Sequence, residues 1–545
     1  MSSTTRGSPQ FAAEKVFVRS SSGLVRELGV RDALVLNFGW TGATFSISFA
    51  FMLSQALWAY PGADFGLAQL LTMLLLVPGT ALAYALLSIV MPRAGGEYVY
   101  ISRALHPLLG FLANWGNMVM LNFFVAWGAY WGGSQALSAV FATLGHTLNS
   151  SWLLQASTWI AGKPGSFIVA LAIILLYGLA VVGGIRFFAR LNLIMVALGL
   201  VGTIAALAVF LFVNHATFVH NFNAFMTSFT KDPNYYGTVI RRAHAGGVHW
   251  SGFSFGATIG ILPIVAFSSL FAFGSAYVGS EVRQPRRVQL ISVPAALVVL
   301  GVLNILIYYV VRRMAGYDFL VAINSDYYNG TLNELPVPPF FNLFATVATG
   351  NAIVAILTGL GYLMMSILFL PMNLLLCTRM VFAWSFDRIL PSKFADVDER
   401  FHSPLWAIAA CVAIAVGFLV IIIYTTWLAT LSGIAGVLPA IILACIVAAI
   451  LPRAKPALYH ASGIERLRIG PVPLITVAGI VGAVYGTIIL IAYLVDNRYL
   501  VNSATSLEWI AGIFVVGLVI FLVAWAIRRA QGLDLKQAYR EIPPA

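Results

Sequence analysis

Two runs of small and hydroxyl-bearing residues interrupt apolar stretches of this sequence. The run GWTGAT occupies residues 39–44 within the apolar stretch 31–61, and the pairs Ser268-Ser269 and Gly274-Ser275 interrupt residues 261–284. Glycine weakens a helix by about 1 kcal/mol relative to alanine, and hydrocarbon offers no water to the backbone groups that a break exposes. Such breaks therefore need a protein-lined cavity, and a pair of them in two halves of a chain points to the binding site of a secondary transporter.

The composition is that of a polytopic membrane protein. Of the 545 residues, 60% are hydrophobic and only 9% are charged, far below the roughly 25% that is typical of soluble domains. The net charge of +12 does not indicate a nucleic-acid partner, because no Lys/Arg run is interleaved with aromatic residues. We expect the lipid bilayer as the environment, and the sequence makes no prediction of oligomeric state.

The three cysteines, Cys377, Cys411 and Cys445, lie in or beside apolar segments and lack the spacing of metal ligands. We interpret them as structural residues. Neither a metal site nor a cofactor is expected.

Segments of about 20 apolar residues are long enough to cross a bilayer. The hydropathy pattern predicts an all-α membrane protein with twelve spans, at residues 33–60, 66–91, 108–141, 167–183, 191–213, 255–282, 288–315, 351–387, 404–424, 427–452, 472–495 and 507–528.

The positive charges predict the orientation of these spans. With both termini in the cytoplasm, 24 of the 31 Lys and Arg residues fall on the cytoplasmic side, as the positive-inside rule requires. We therefore expect a multi-pass protein of the cell membrane. Its N-terminal tail, residues 1–32, and its C-terminal tail, residues 531–545, are both predicted to be cytoplasmic.

The spans divide into two halves of similar size. Spans one to five cover residues 33–213, spans six to ten cover 255–452, an extracellular connection at 214–254 joins them, and spans eleven and twelve lie within 453–530. Because five is odd, the second half would cross the membrane in the opposite sense and form an inverted repeat of the first.

Two long connections carry further patterns. The four histidines of residues 214–254 have no helical ligand spacing, and we interpret them as solvated loop residues rather than a metal site. The Phe-rich end of residues 316–350 fits either a short helix over the extracellular mouth or a passive interfacial loop.

Three segments resemble signatures of the amino acid/polyamine/organocation permeases. The run PRAGGEYVYISR at residues 92–103, followed by Gly110-Phe111, resembles the P-x-x-G-G-x-Y-x-Y-x-x-R...G-F signature of that family. The run EVRQPRR at residues 281–287 resembles the end of its span six, and TRMVFAWSFDRILP, at residues 378–391, resembles the end of its span eight. The resemblance covers about residues 30–530. It implies the LeuT-type five-plus-five inverted repeat with broken helices one and six, two additional C-terminal helices, and transport of amino acids or related amines.

The resemblance also implies a zwitterion-binding site between the breaks of spans one and six. Free N–H groups at a helix start would bind a carboxylate, while free carbonyl groups would accept an ammonium group and an aromatic ring would pack on the ligand. One such run alone is more typical of a helix-packing face, but the pair together with the signature favours a site. The candidate substrate-binding residues are Trp40, Thr41, Gly42, Ala43, Thr44, Ser268, Ser269, Phe271, Ala272 and Phe273.

The substrate is predicted to be a neutral, apolar amino acid. Phe271 stands where the family commonly has glycine, which indicates a smaller or more apolar pocket. No Asp, Glu, Lys or Arg lies in the middle of any predicted span, so a cationic side chain would find no carboxylate partner. A polyamine or cationic amino acid transporter or exchanger of the same fold is the alternative.

The coupling ion is less directly indicated. Span five lacks the lysine that replaces sodium in some relatives, and the middle of span eight is apolar where sodium-coupled members have hydroxyl groups. We therefore expect a proton rather than sodium, bound through Glu281 or Glu97, or else simple exchange.

Four ionisable residues are predicted to lie near the cytoplasmic face: Glu97, Arg103, Glu281 and Asp387. One interpretation is an inner gate of ion pairs, or a proton site, that changes during alternating access. The other interpretation is a set of ordinary interfacial charges.

Other functional classes lack their motifs. The sequence has no H-E-x-x-H, no paired Asp within a span and no G-x-S-x-G, so we predict that the protein is not an enzyme. A channel would show neither saturation nor counterflow, and a receptor that only signals would need a signalling domain.

Overall fold

Long apolar segments of this chain form helices, because a helix satisfies its backbone hydrogen bonds internally. The computed structural model describes residues 23–41, 44–250, 252–332, 334–428, 433–499, 501–532 and 539. Within these residues, ten helices are long and apolar enough to cross a membrane: Phe65–Val90, Pro107–Thr147, Lys163–Val182, Gly184–Phe212, Pro285–Ala315, Ala352–Phe386, Leu405–Tyr424, Ile434–Ala454, Leu474–Val495 and Ala504–Ala530. The predicted all-α, multi-pass architecture is confirmed.

The predicted first and sixth spans are each divided into shorter pieces. The first consists of the helices Val30–Thr41 and Ile47–Ala59. The sixth consists of the helices Phe255–Gly260 and Leu262–Ser269, followed by irregular chain with the single 3₁₀ turns Gly274–Ala276 and Gly279–Glu281. None of these pieces is long enough to count among the ten helices, so the predicted total of twelve spans requires each interrupted segment to cross as one unit.

Short helices occupy the two long connections. His215–Thr230 and Tyr235–Ala245 lie in the first, and Tyr317–Tyr328 and Phe341–Thr349 lie in the second. Three of the four histidines interpreted as loop residues therefore lie on helices, and that interpretation was wrong for them. Residues 214–254 contain several glycines and nevertheless form two helices. The Phe-rich end of the second connection is a buried helix and not an interfacial loop.

The remaining elements are small. They are the helices Glu97–Ala104, Ser151–Ala161 and Pro456–Ala461, the 3₁₀ turns Ser392–Ala395 and Asn497–Tyr499, and an antiparallel hairpin of Arg468–Ile469 with Val472–Pro473. The long helices contain wide π-type turns at Val77–Ala81 and Ala129–Gln135, and turns of this kind are frequent at functional sites.

Side chains from neighbouring helices bind the backbone groups that the two breaks free. The N–H of Ile47 donates to Oγ of Ser366 at 2.9 Å. The N–H of Ser275 donates to Oδ1 of Asn37 at 2.7 Å, so a side chain of the first interrupted segment binds a backbone group of the second. Because an unpaired buried amide costs several kcal/mol in hydrocarbon, these bonds make the irregular backbone tolerable inside the bundle.

Phe45 lies in the first break and has an unusual backbone conformation. Its φ of +45° is left-handed, which costs a bulky residue about 1–3 kcal/mol. The buried ring contacts Phe341 and Tyr362, with centroid distances of 6.2 and 6.0 Å. Packing of this ring therefore holds a backbone conformation that the local sequence disfavours.

The interrupted segments pack against long helices. Val30–Thr41 packs on Pro285–Ala315, and Leu262–Ser269 packs on the first part of Phe65–Val90. Gly184–Phe212 packs on Ala352–Phe386, where a Cβ atom on Gly202 would lie 2.4 Å from Cα of Gly361. Small residues allow this close approach of two helix backbones.

Candidate functional site

A cavity of about 410 Å³ borders both breaks. Trp40 and Thr41 reach it from the end of the first helical piece, and Phe271 reaches it from the turn after Ser269. Its uncharged polar side chains are Thr41, Ser48, Gln55 and Asn373, and its lining includes no charged residue among the described positions. We call this space the aromatic cavity, because twelve of its nineteen lining residues are Phe, Tyr or Trp.

Most of these rings come from three regions. The helix Pro107–Thr147 contributes four, Phe123, Phe124, Trp127 and Trp131. The interrupted segments contribute Trp40, Phe51, Phe267 and Phe271, and the remaining rings belong to Tyr328, Phe369, Tyr493 and Tyr499. Trp131 lies in the wide turn Ala129–Gln135, which alters the direction of side chains along this helix.

Trp40 is the centre of a cluster of rings beneath the cavity. Its ring lies 5.1 Å from that of Phe271 and 5.5 Å from those of Phe273 and Tyr277, all in edge-to-face geometry. Its Nε1–H donates to Oδ1 of Asn373 at 2.6 Å. Because the indole can only donate, this bond fixes which end of the Asn373 amide is oxygen.

A polar network joins the two breaks beside the cavity. Thr44 Oγ1 donates to Oδ1 of Asn304 at 3.1 Å, and Gln69 Nε2 donates to Oγ of Ser269 at 2.8 Å. Oε1 of Gln69 accepts from both Ser268 Oγ and Asn304 Nδ2 at 3.4 Å. Gln69 and Asn304 therefore connect one interrupted segment to the other.

The ten candidate substrate-binding residues fall into different surroundings. Trp40, Thr41 and Phe271 line the aromatic cavity. Thr44, Ser268 and Ser269 belong to the polar network and are absent from the cavity lining, as are the buried residues Ala272 and Phe273. Gly42 and Ala43 lie outside the described residues.

Sequence reasoning missed three amides, Gln69, Asn304 and Asn373. All three are uncharged polar residues in the interior of long apolar helices. That pattern was the available signal, because an amide in a membrane span usually hydrogen-bonds to another helix.

The four predicted gate residues are all buried, and three of them form ion pairs: Arg103 with Asp387, and Glu281 with Arg379. Arg379 contacts Glu281 through two bonds, Nε to Oε1 at 2.8 Å and Nη2 to Oε2 at 3.1 Å. Arg103 contacts Asp387 through Nη1 to Oδ2 at 2.6 Å and Nη2 to Oδ1 at 2.8 Å. These four side chains are at most 2% exposed. We call Glu97, Arg103, Glu281, Arg379 and Asp387 the ionic layer.

The segment preceding the first helix closes this same region. The N–H groups of Glu27 and Leu28 both donate to the carbonyl of Glu281, at 2.8 and 3.0 Å, and the N–H of Arg283 donates to the carbonyl of Leu28 at 2.9 Å. The end of the sixth segment is therefore held both by an ion pair and by backbone hydrogen bonds.

Glu97 differs from the other carboxylates of the ionic layer. Its Oε1 accepts from Nδ2 of Asn114 and from Nδ2 of Asn117, each at 2.8 Å. It has no ion pair, and its Oε2 has no hydrogen-bond partner among the described residues. Burial raises the pKa of Glu97, while its hydrogen bonds oppose that shift.

Tyr277 connects the ionic layer to the aromatic cavity. Its hydroxyl accepts from Nδ2 of Asn117 at 3.0 Å, and its ring contacts Trp40. Only one side chain, that of Tyr277, therefore separates the amide that holds Glu97 from the indole that lines the cavity.

Within the described part of the chain, no group of three or more His, Cys, Asp or Glu residues is arranged to hold a metal ion. The three cysteines are buried and unpaired. The polar chemistry of the site thus rests on amides, hydroxyl groups and backbone groups.

The family model that matches the chain is described as Amino acid permease, and the match extends over residues 28–537. It includes both interrupted segments, the aromatic cavity and the ionic layer. No curated protein matches the chain.

Proposed function

The chain belongs to the amino acid permease family, and we propose that it is a secondary active transporter that carries neutral, apolar amino acids across the cell membrane by alternating access. Membership of the family implies amino acid transport and a small-molecule substrate. The protein is therefore a multi-pass transporter and not an enzyme.

One observation carries the proposal. Both interrupted segments border an uncharged cavity, and the ionic layer closes the chain on the other side of the contact between Trp40 and Tyr277. Two interrupted helices that border one uncharged cavity are the arrangement expected of a substrate site in a secondary transporter. The absence of a carboxylate from the described lining favours neutral substrates over polyamines and cationic amino acids.

The helix contacts support the inverted repeat. If residues 33–213 and 255–452 are two copies, span one corresponds to span six and span two to span seven. The packing of span one on span seven is then equivalent to the packing of span six on span two, and both contacts occur. In the same way, span five corresponds to span ten and span eight corresponds to span three. The contact between spans five and eight is then equivalent to the contact between spans ten and three, and both of these contacts also occur.

In this arrangement Trp40, Thr41 and Phe271 contact the substrate. Thr44, Ser268 and Ser269 act indirectly, through the polar network that holds the two breaks together. The distribution of Lys and Arg favours a cytoplasmic side for both termini and the ionic layer, and with that orientation the cavity would open to the outside.

Glu97 is the residue that best fits a proton site. Glu281 and Asp387 each have an arginine partner, whereas Glu97 has none among the described residues. Asn117 Oδ1 has no donor among the described residues, and a proton on the neighbouring carboxyl group of Glu97 would supply one, while the phenol of Tyr277 also lies near this carboxyl group. The groups that face Glu97 are the phenols of Tyr84, Tyr100 and Tyr277 and the amides of Asn114 and Asn117.

The transport proposal is tested with purified protein in liposomes. Equal internal and external pH with unlabelled amino acid inside should give saturable counterflow of labelled neutral amino acids, whereas a channel gives none. Thr41→Trp fills the cavity and should abolish counterflow. Thr487→Trp, at an exposed position on the helix Leu474–Val495, is the matched control and should keep it. Counterflow by Thr41→Trp at the wild-type rate would refute the proposed site.

The proton site is tested with a pH gradient across the same liposomes. An inward proton gradient should drive accumulation of substrate by the wild type. Glu97→Gln keeps the size of the side chain but cannot release a proton, so it should retain counterflow and lose gradient-driven accumulation. Glu508→Gln, at an exposed residue, should retain both activities. Accumulation by Glu97→Gln at the wild-type level would exclude Glu97 as the coupling group.

A further inference from the structure

The aromatic cavity is lined by more aromatic rings than an apolar surface alone would require. Aliphatic residues are scarce in the lining: Met52 and Ile434 are the only ones among the described positions. A cavity that selected for hydrophobicity alone could be built from Leu, Ile and Val, which dominate the lipid-facing helices of this chain. The enrichment of rings is therefore a property of the cavity and not of the whole protein.

The rings already form edge-to-face pairs with each other. Phe271 meets Phe267 at 5.6 Å with planes at 87°, and it meets Phe124 at 6.3 Å with planes at 78°. Phe51 meets Trp131 at 5.1 Å with planes at 86°. Such pairs leave ring faces and ring edges directed at the space between them, and aromatic rings attract one another in this geometry because the face is negative and the edge positive.

The size of the cavity also favours a bulky ligand. Its volume of about 410 Å³ lies within the roughly 300–1,000 Å³ that is usual for small-molecule sites. An alanine or glycine molecule would leave most of the ring surfaces in contact with water. A ligand with its own ring would displace that water and bury apolar surface on both sides.

The Asn373 amide supplies a fixed polar group at the same place. The bond from Trp40 occupies its Oδ1, so its Nδ2 points away from the indole as a donor. Nδ2 makes no hydrogen bond to any residue of the described chain, and Asn373 lines the cavity. A donor among rings suits a ligand that has both an aromatic side chain and an acceptor oxygen.

We infer that the preferred substrates are the aromatic amino acids phenylalanine, tyrosine and tryptophan. The inference rests on the proposed transport function and narrows its substrate class. Burial of one additional aromatic side chain should raise the apparent affinity about 10- to 100-fold over that for alanine. The edge-to-face contacts should add about 2- to 10-fold over an aliphatic side chain of equal size.

The experiment compares uptake of phenylalanine, cyclohexylalanine, leucine and alanine by the full-length protein in liposomes. Cyclohexylalanine is the decisive ligand, because its ring has the size of phenyl without the π system. We expect kcat/KM to fall in the order phenylalanine, cyclohexylalanine, leucine, alanine. Equal values for phenylalanine and cyclohexylalanine, or a higher value for leucine, would overturn the aromatic preference and leave the transport function intact. Absence of counterflow for all four, and for the other neutral amino acids, would overturn the transport function itself.

Two cavity variants test which rings make the selection. Phe271→Leu and Phe124→Leu keep an apolar side chain but remove one partner ring, and each should lower the ratio of phenylalanine to leucine uptake about 2- to 10-fold. Phe212→Leu is the control, because its ring is 82% exposed at the end of the helix Gly184–Phe212. Its ratio should equal that of the wild type. An unchanged ratio in both cavity variants, measured on protein with wild-type thermal stability, would refute the role of the rings.

Discussion

The ionic layer and the aromatic cavity lie on either side of the contact between Trp40 and Tyr277, and the second interrupted segment contributes to both, through Glu281 and Phe271. The ionic layer is buried, and its two arginines each bind one carboxylate through two bonds. The aromatic cavity has no ion pair in its described lining, where aromatic rings are the commonest groups. Its contacts are individually weak and can be rearranged around a ligand.

This difference separates two tasks. A buried ion pair contributes little net stability, because the cost of removing its charges from water offsets their attraction, but a single unpaired member costs several kcal/mol. The ionic layer therefore favours a fully closed or fully open arrangement over intermediate ones. Contacts between rings fall off gradually with displacement, which suits a surface that must accept and release a substrate.

The largest expected effect comes from leaving one charge of the ionic layer alone. Arg379→Met should destabilise the protein by about 3–5 kcal/mol, because Glu281 would remain buried without its partner. The double variant Arg379→Met with Glu281→Leu should recover most of this loss. Thermal unfolding in detergent measures both. Equal destabilisation by the single and double variants would show that the cost is loss of packing and not an unpaired charge.

A second test probes how tightly the ionic layer is joined to Tyr277. Gly96 has a φ of +57°, and a Cβ atom there would lie 2.4 Å from the Tyr277 ring. Gly96→Ala should therefore cost about 2–3 kcal/mol through backbone strain and overlap. Gly512→Ala is the matched control in the helix Ala504–Ala530. A Cβ atom added at Gly512 would meet no atom within 4 Å outside its own helix turn and chain neighbours, so Gly512→Ala should be neutral or stabilising. A neutral Gly96→Ala would mean that this region is loosely packed.

The pH dependence of stability should single out Glu97 within the ionic layer. Burial raises its folded-state pKa above the ordinary value of 4.5, so the folded state binds the proton more tightly than the unfolded state does. The resulting stability is present below pH 4.5 and is lost as the pH rises through the raised pKa. Glu97→Gln should remove this dependence and be more stable than the wild type at alkaline pH, where the wild-type carboxyl group is buried as an anion. Parallel pH profiles of melting temperature for the two proteins would contradict the assignment.

The smallest effect on stability is expected for the exposed ion pair of Arg242 and Glu334, which has the same two-bond geometry as the pairs of the ionic layer. Arg242 binds both oxygens of Glu334 at 2.9 Å, yet the two side chains are 32% and 43% exposed. Arg242→Met should cost less than about 1 kcal/mol, and high salt should reduce the loss further. Hydrogen bonding to Arg242 lowers the pKa of Glu334, so the contribution is present above the ordinary pKa and is lost as the pH falls. A loss that salt does not change would place this pair with the buried ones.

Local patterns accounted for much of the architecture. Runs of apolar residues predicted the long helices, and the runs around residues 39–44 and 268–275 predicted where helical structure would stop. The helix Leu262–Ser269 ends inside the second of these runs. Prediction was weaker in the connections, where Tyr235–Ala245 mixes apolar residues with Arg241, Arg242 and His244 and forms a helix that packs on Tyr317–Tyr328. The local hydropathy pattern does not predict a helix whose stability comes from packing on a segment distant in the sequence.

The sequence by itself determined that this chain lies in a membrane, that two of its spans are interrupted, and that a cluster of ionisable residues follows the second, sixth and eighth spans. These properties depend on the composition of neighbouring residues, which hydropathy and helix propensity read directly. Only the tertiary structure decided which of the candidate residues face the cavity. Thr44 and Ser269 turn to amides on other helices, and Asn373 enters the site from more than 300 positions away. A side chain's surroundings depend on helix rotation and packing, and those are set by the whole bundle.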